Sequence, residues 1–460
     1  MTPTSEGPAG DRVNRLEGHI WESRTGTAPV GLSSAAARPE TTNVLPEARN
    51  QSNGAGPFAR LRAVAVVAAL YAAALVVWFA LGRRMPGGRW IGVHLFTLGI
   101  VTNLVLALSD HFARTLTHRG GGRAAWHLAF TNAGVVALLW GVPNGADWAV
   151  AGGATILVTE VMASYLTLRR LRKTALAGRF GWIVRMYERA HGAFVHGAIL
   201  GALLGTGVLG GAWVLSARVA HLHVNVLGWA GLTLLATVVF FGPTVLRTRI
   251  EPGADARAAR VLPWGATGLT FGVLALFASG VGGGGGVALR LIAAGGLAVY
   301  AWCVVEVCVP VIRAARRSQP SAGRLPVTMA AAWFVLAAVT DVVLVGTGEW
   351  RFLDALGVAM LAGVLFQSIA ASLGYLAPLL RWDERSSRDA VRARLGRLGT
   401  ARAVAWNAGV LLVVVAAAVG SGGGEAGAWL ARTGWALMLA SALTLGAIIV
   451  LPVRSNRSAS

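Results

Sequence analysis

An all-α, polytopic transmembrane bundle of about twelve helices, with no soluble catalytic domain, is what this sequence predicts. Three observations carry that expectation. Apolar residues make up 55% of the chain and charged residues only 13%, where soluble proteins run nearer a quarter charged. Apolar runs of about twenty residues, enough to cross a bilayer core, follow one another from residue 60 onward. The arginines fall in short loops between those runs. The formal charge of +21 is therefore read as topology-setting charge beside membrane spans rather than a nucleic-acid footprint.

Residues 1–56 are polar, of mixed charge and rich in Gly, Pro, Ser and Thr. They carry no signal-peptide pattern and cannot bury a core, so a disordered cytoplasmic tail is expected there. Residues 57–455 form the transmembrane domain and 456–460 a short tail. Spans are placed near 61–82, 90–112, 124–142, 146–168, 190–214, 219–246, 262–281, 286–313, 327–347, 352–380, 401–421 and 427–451.

The loops orient these spans. Arg169, Arg170, Arg172 and Lys173 follow the fourth, Arg247, Arg249, Arg257 and Arg260 the sixth, and Arg313, Arg316 and Arg317 the eighth. Arg381, Arg385, Arg388, Arg392, Arg394 and Arg397 follow the tenth. Loops after the third, seventh, ninth and eleventh spans have almost no Lys or Arg. The positive-inside rule then puts both termini in the cytoplasm, with Arg83, Arg84 and Arg89 as the one clear violation. Spans six, eight, ten and twelve end in proline followed by arginine (Pro243 to Arg247, Pro310 to Arg313, Pro378 to Arg381, Pro452 to Arg454). That recurrence at about seventy residues reads as a repeated hairpin or as four ordinary helix ends. Trp90, Trp148, Trp350 and Trp429 fit an outer aromatic belt. Gly282 to Gly286 reads as a flexible outer turn, not a phosphate loop, because no Lys-Ser/Thr follows. Cys303 and Cys308, five apart on one helix, are too distant for a disulfide and read as buried thiols.

All nine histidines lie at or before residue 223. His94, His221 and His223 fall in the outer leaflet on spans two and six. His221 and His223, two apart, project about 200° from each other on a helix, so they cannot chelate one ion but can each meet a different partner. Neutral imidazole is a common axial haem ligand, and Arg218 sits where it could pair with haem propionates. Ordinary hydrogen-bonded interfacial histidines are the alternative. His111, His118, His127, His191 and His196 cluster inward. His111 and His118, with Arg114, Arg119 and Arg123, read as a solvated loop, and His196 as a deeper ligand or network member. Glu160, Glu306 and Asp341 are intramembrane acids, which are costly and mark proton pathways or hydrogen-bonded structure. Asn103, Asn132, Asn225 and Gln367 read as helix-joining contacts.

The stretch RVAHLHVNVLGWAGL at 218–232 resembles the tenth helix of haem–copper oxidase subunit I, where both histidines bind haem. The longer AHLHVNVLGWAGLTLLATVVFFGPTVLRTR is more similar to a bacterial membrane module found alone or fused to copper nitrite reductase and multicopper oxidase domains, itself distantly like the NnrS family. HLFTLGIVTNLVLALSDHF and FQSIAASLGYLAPLL support the likeness, which covers residues 60–455. The resemblance implies a haem b held by His94 and the His221/His223 pair, with copper as a second metal; His196, by its depth in the fifth span, joins the metal-ligand candidates on the reading of the residues alone. It implies electron transfer or nitric oxide metabolism in a bacterial inner (plasma) membrane, among membrane lipids and beside a copper nitrite reductase or multicopper oxidase, with no nucleic acid. A membrane transporter, or a non-catalytic scaffold for a separate copper enzyme, is the alternative. The chain departs from subunit I in carrying His-x-His on the sixth span and no histidine beyond 223. The three-histidine copper site is therefore missing, and oxygen reduction is not expected. Cupredoxin domains are absent too, so nitrite reduction is not assigned to this chain.

Overall fold

The computed structural model describes residues 57–174, 180–381 and 385–451. The tails expected at 1–56 and 456–460, and the Pro452 to Arg454 pair, lie outside them. The described residues form thirteen helical rods and no strand. These are α1 (Pro57–Leu81), α2 (Gly88–Leu116), α3 (Ala125–Gly141), α4 (Asp147–Thr174), α5 (Gly181–Gly205), α6 (Ala212–Leu246), α7 (Ala254–Val281) and α8 (Gly283–Arg317). They continue as α9 (Arg324–Thr347), α10 (Trp350–Arg381), the short polar α11 (Arg385–Arg397), α12 (Gly399–Val419) and α13 (Gly424–Val450). Ten are long and apolar enough to cross a membrane. Besides α11, the exceptions are α3, with 17 residues, and α5, whose first turns carry Arg185, Glu188 and Arg189.

Three rods share an unusual feature. In α2, α6 and α10 an eight-residue π-helical segment interrupts the α-helix, at Leu95–Thr102, Val224–Gly231 and Ala359–Phe366. The fifth residue of each is glycine: Gly99, Gly228 and Gly363. Each glycine lets the preceding rod close in. A Cβ there would lie closer than 3 Å to Tyr71 of α1, Ala193 of α5 or Trp333 of α9. The glycines recur roughly every 130 residues.

A second set of contacts keeps the same period. After α2 and α6 the next two rods, and after α10 the rods α12 and α13, form an antiparallel hairpin, and glycines face each other's carbonyls across it. The pairs are Gly134 with Gly153, Gly268 with Gly296, and Gly409 with Gly434. Small residues allow such backbone approach, which stands in for hydrophobic drive inside a bilayer. The residues leading into the first glycine read Asn132-Ala133-Gly134, Ala266-Thr267-Gly268 and Asn407-Ala408-Gly409. The chain is thus three copies of a four-rod unit: α1–α4, α5–α8, and α9, α10, α12 and α13, with α11 inserted in the last. The seventy-residue hairpin expected from proline and arginine is half of this unit. α6 ends three residues past Pro243, whereas α8 runs on from Pro310 to Arg317.

Polar chemistry repeats as well. Asn103, directly after the first π segment, donates to the Gly99 carbonyl (2.8 Å) and exchanges amide hydrogen bonds with Asn132 (3.1 and 3.0 Å). Gln367, directly after the third, donates to the Gly363 carbonyl (2.7 Å) and exchanges with Asn407 (3.2 and 2.9 Å). The π geometry disturbs the backbone ladder, and a buried amide satisfies the carbonyl at the close approach. The middle unit has Leu232 and Ala266 at these places, and there Tyr300 donates its hydroxyl to the Leu227 carbonyl (2.9 Å).

Two boundaries differ from expectation. The fifth rod spans 181–205 rather than 190–214, because Gly207 and Gly211, both at positive φ, turn the chain inside an apolar run that hydropathy reads as continuous. The Gly282 to Gly286 run is mostly helix, since the turn falls at Gly282 and α8 starts at Gly283. Trp148 and Trp429 are exposed at rod ends. Cys303 and Cys308 are free, buried thiols.

Candidate functional site

The histidines of α2 and α6 stand at one structural position. His94 and His223 each immediately precede a π segment, and Val358 takes that place in the third unit. Their surroundings nevertheless diverge.

His94 donates from Nδ1 to the Trp90 carbonyl (2.8 Å) and stacks on the Trp90 ring (4.1 Å between centroids). His221 donates from Nδ1 to the Gly197 carbonyl of α5 (2.8 Å). Gly197 and Gly201 make this possible: a Cβ on Gly201 would press on the His221 ring, and one on Gly197 would strike Asn225. Asn225 in turn donates to the His221 carbonyl (2.9 Å). A carbonyl can only accept, so both rings carry their proton on Nδ1 and present a bare Nε2. Metal-binding imidazoles are commonly oriented in this way.

His223 points the other way around α6. Its Nδ1 donates to the Val219 carbonyl (2.7 Å), and its Nε2 meets Asp341 Oδ1 of α9 at 2.9 Å. Both partners are about 4% exposed. Since Nδ1 is already the donor, the Nε2–Oδ1 contact needs one further proton. The pair is either imidazolium with carboxylate or neutral imidazole with carboxylic acid, and both nitrogens of His223 are occupied.

The remaining candidates disperse. His196 is exposed, with Nδ1 on the Gly192 carbonyl (2.8 Å). Arg218 is exposed one turn before His221. Among the described residues no three His, Cys, Asp or Glu side chains are grouped to hold a metal ion. His94 and His221 each keep Nε2 free of any hydrogen bond among the described residues. By donor chemistry that pair fits the two axial positions of a haem.

Two polar clusters lie toward the arginine-bearing end. Arg123 and His127 both bind Glu160, which is 1% exposed, with His127 Nδ1 at 3.0 Å from each carboxylate oxygen. Arg123 is thus no solvated loop residue: it is mostly buried, and desolvation pulls its pKa down while Glu160 opposes that shift. His118, by contrast, is exposed. His191 is fully buried; it donates to the Tyr187 carbonyl (2.7 Å), accepts from Ser164 (3.0 Å) and meets the Trp229 ring edge-on. Trp229 donates to Thr102 (3.3 Å), which ties the first two π segments together. Glu306 is only partly buried and lies 3.9 Å from Arg257. The Glu160 cluster had one readable sign, an acid amid an apolar span whose charge demands a partner. Nothing in the sequence identified Arg123 as that partner.

No protein-family model matches the sequence, and no curated protein matches it.

Proposed function

We propose that this chain is a multi-pass protein of the bacterial inner membrane, with twelve crossings and both termini in the cytoplasm, that holds a haem b between His94 and His221 near the outer face and serves electron transfer or nitric oxide metabolism. For the crossings, α3 and α5 are borderline alone. Each occupies a place in the four-rod unit whose counterparts (α7 and α12 for α3, α1 and α9 for α5) are long and apolar. Apart from Arg83, Arg84 and Arg89, the arginine-rich loops fall at one end of that scheme.

The observation that carries the cofactor reading is a pair of imidazoles on α2 and α6, each fixed through Nδ1 by a backbone carbonyl, each with Nε2 uncommitted. Bound haem supplies a one-electron couple or an iron that binds a diatomic gas. The chain's own part is to orient the rings through Trp90, Gly197 and Gly201. His223 is left to Asp341, and Arg218 stands where a propionate would need a cation.

The test is an absorption spectrum with metal analysis of protein purified from haem-replete cells. A Soret band that His94→Ala and His221→Ala each abolish and His196→Ala leaves unchanged supports the reading. Colourless, metal-free wild-type protein ends it. Transport is a second reading, favoured by the buried Arg123–His127–Glu160 cluster; cofactor-free protein that moves protons in vesicles, and loses this with Glu160→Gln, would select it. A scaffold role would show as copurification of a copper nitrite reductase or multicopper oxidase without intrinsic haem.

A further inference from the structure

The helix inserted into the third unit covers a crevice. Helix α11 packs Val391 and Leu395 against Leu445 and Ile448 of α13, beside Ala322 and Ala370. Beneath it opens a cavity walled by Gly374, Gly399, Arg402, Trp406, Ser441 and Leu445, among others. Gly374 and Gly399 keep it open: a Cβ on Gly374 would meet only Ala322, at 3.9 Å, and one on Gly399 only Ala322, at 3.5 Å.

The polar groups at this mouth are not all paired. Arg402 uses one Nη to donate to the Leu395 carbonyl in the last turn of α11 (3.3 Å), yet its Nε is buried without a hydrogen-bond partner. The hydroxyl of Ser321, next to Ala322, is likewise buried and unpartnered, as is Nε of Arg388 on α11. A buried donor left unsatisfied is costly, so the bare Nε of Arg402 in the cavity wall points to a missing acceptor. The sequence from 381 to 402 has seven arginines against three acids. A missing acceptor in such a field is an anion. Trp406 and Leu445 line the same cavity with apolar surface.

We infer that this crevice binds the phosphate of an anionic phospholipid of the cytoplasmic leaflet, with its oxygens accepting from Arg402 and Ser321 and its acyl chain lying along Trp406 and Leu445. The leaflet assignment rests on the topology proposed above. Basic pockets between membrane helices on that side are suited to anionic headgroups. Helix α11 is the lid, and Arg402 ties the lid to the site.

The experiment is native mass spectrometry of the full chain in mild detergent, with phosphatidylglycerol, phosphatidylcholine or inorganic phosphate as probe. Phosphatidylglycerol is retained by wild type and phosphatidylcholine is not. Arg402→Ala and Gly374→Leu each lower retention about tenfold, a difference one charge-assisted contact readily supplies. Equal retention of the two lipids, displacement of phosphatidylglycerol by inorganic phosphate, or no effect of Gly374→Leu overturns the proposal. Arg402→Ala also removes the tie to α11 and so could fail to fold. Gly374→Leu fills the crevice while leaving every charge in place, and it decides in that event. Labelling of Ser386→Cys with a membrane-impermeant maleimide only after cell lysis supports the cytoplasmic leaflet. Labelling in intact cells overturns that assignment, and the lipid result read beside it separates a wrong topology from a wrong ligand.

Discussion

Removing either partner of the His223–Asp341 pair has sharply different consequences for different substitutions. Three facts set the magnitudes: both side chains are about 4% exposed, their contact is 2.9 Å, and Nδ1 of His223 is already spent on Val219. His223→Ala leaves the Asp341 carboxyl buried without its partner, which costs about 3–5 kcal/mol. Asp341→Leu strands the Nε2 of a neutral imidazole at about 1–3 kcal/mol. Asp341→Asn is nearly isosteric, and its amide can donate to Nε2 of the neutral ring, so its cost is below about 1 kcal/mol. The double change His223→Leu with Asp341→Leu removes both polar groups and returns most of the stability. Thermal unfolding of the full chain in detergent, followed by tryptophan fluorescence, gives the ranking: wild type and Asp341→Asn highest, the double variant next, then Asp341→Leu, with His223→Ala lowest. If Asp341→Asn falls as far as His223→Ala, the shared proton is not what the contact depends on. If His223→Ala matches wild type, the pair is not buried together.

Three other perturbations read the repeat and the inner cluster. Asn103→Leu alone breaks the exchange with Asn132 and costs about 0.5–2 kcal/mol; adding Asn132→Ala copies the middle unit's Leu232 and Ala266 and restores part of that loss, read as a coupling energy in a double-mutant cycle. Gly363→Ala presses on Trp333 and Gly409→Ala on the Gly434 carbonyl, so each lowers the unfolding midpoint by about 1–3 kcal/mol equivalent; Gly357→Ala, with nothing within 4 Å of its added Cβ, is neutral or stabilising in the same assay. Arg123→Ala leaves Glu160 buried with only His127 and lowers detergent stability by about 3–5 kcal/mol, whereas Arg119→Ala at the exposed loop changes it by less than about 0.5 kcal/mol.

Hydropathy and arginine placement made the helical architecture legible, because burial in lipid leaves so few ways to satisfy a backbone. The same signal blurred at Gly207 and Gly211, where a turn is built from residues as apolar as the helices it joins. The threefold repeat was also present in the letters, as Asn-Ala-Gly at 132–134 and 407–409 and as glycines at 99, 228 and 363. The middle copy hides it by substituting Ala266 and Leu232. The π segments left no mark on hydropathy, since one added residue per turn alters direction and not composition. The site was half legible. The opposed directions of His221 and His223 follow from helix geometry, but which neighbour each would meet depends on Asp341 and Gly197, far away in sequence. Arg123 was misread because a residue just outside a span looks solvated until the partner that buries it is known.

A unit with an even number of rods returns the chain to the end it left, so each of the three copies begins on the same side as the last. Copies related in that way share one sense along the bundle. Transporters built from inverted halves can trade conformations between those halves and so open alternately to each side. The copies in this molecule keep one sense instead. Its two ends are chemically distinct by construction, an arrangement suited to a task with a fixed direction.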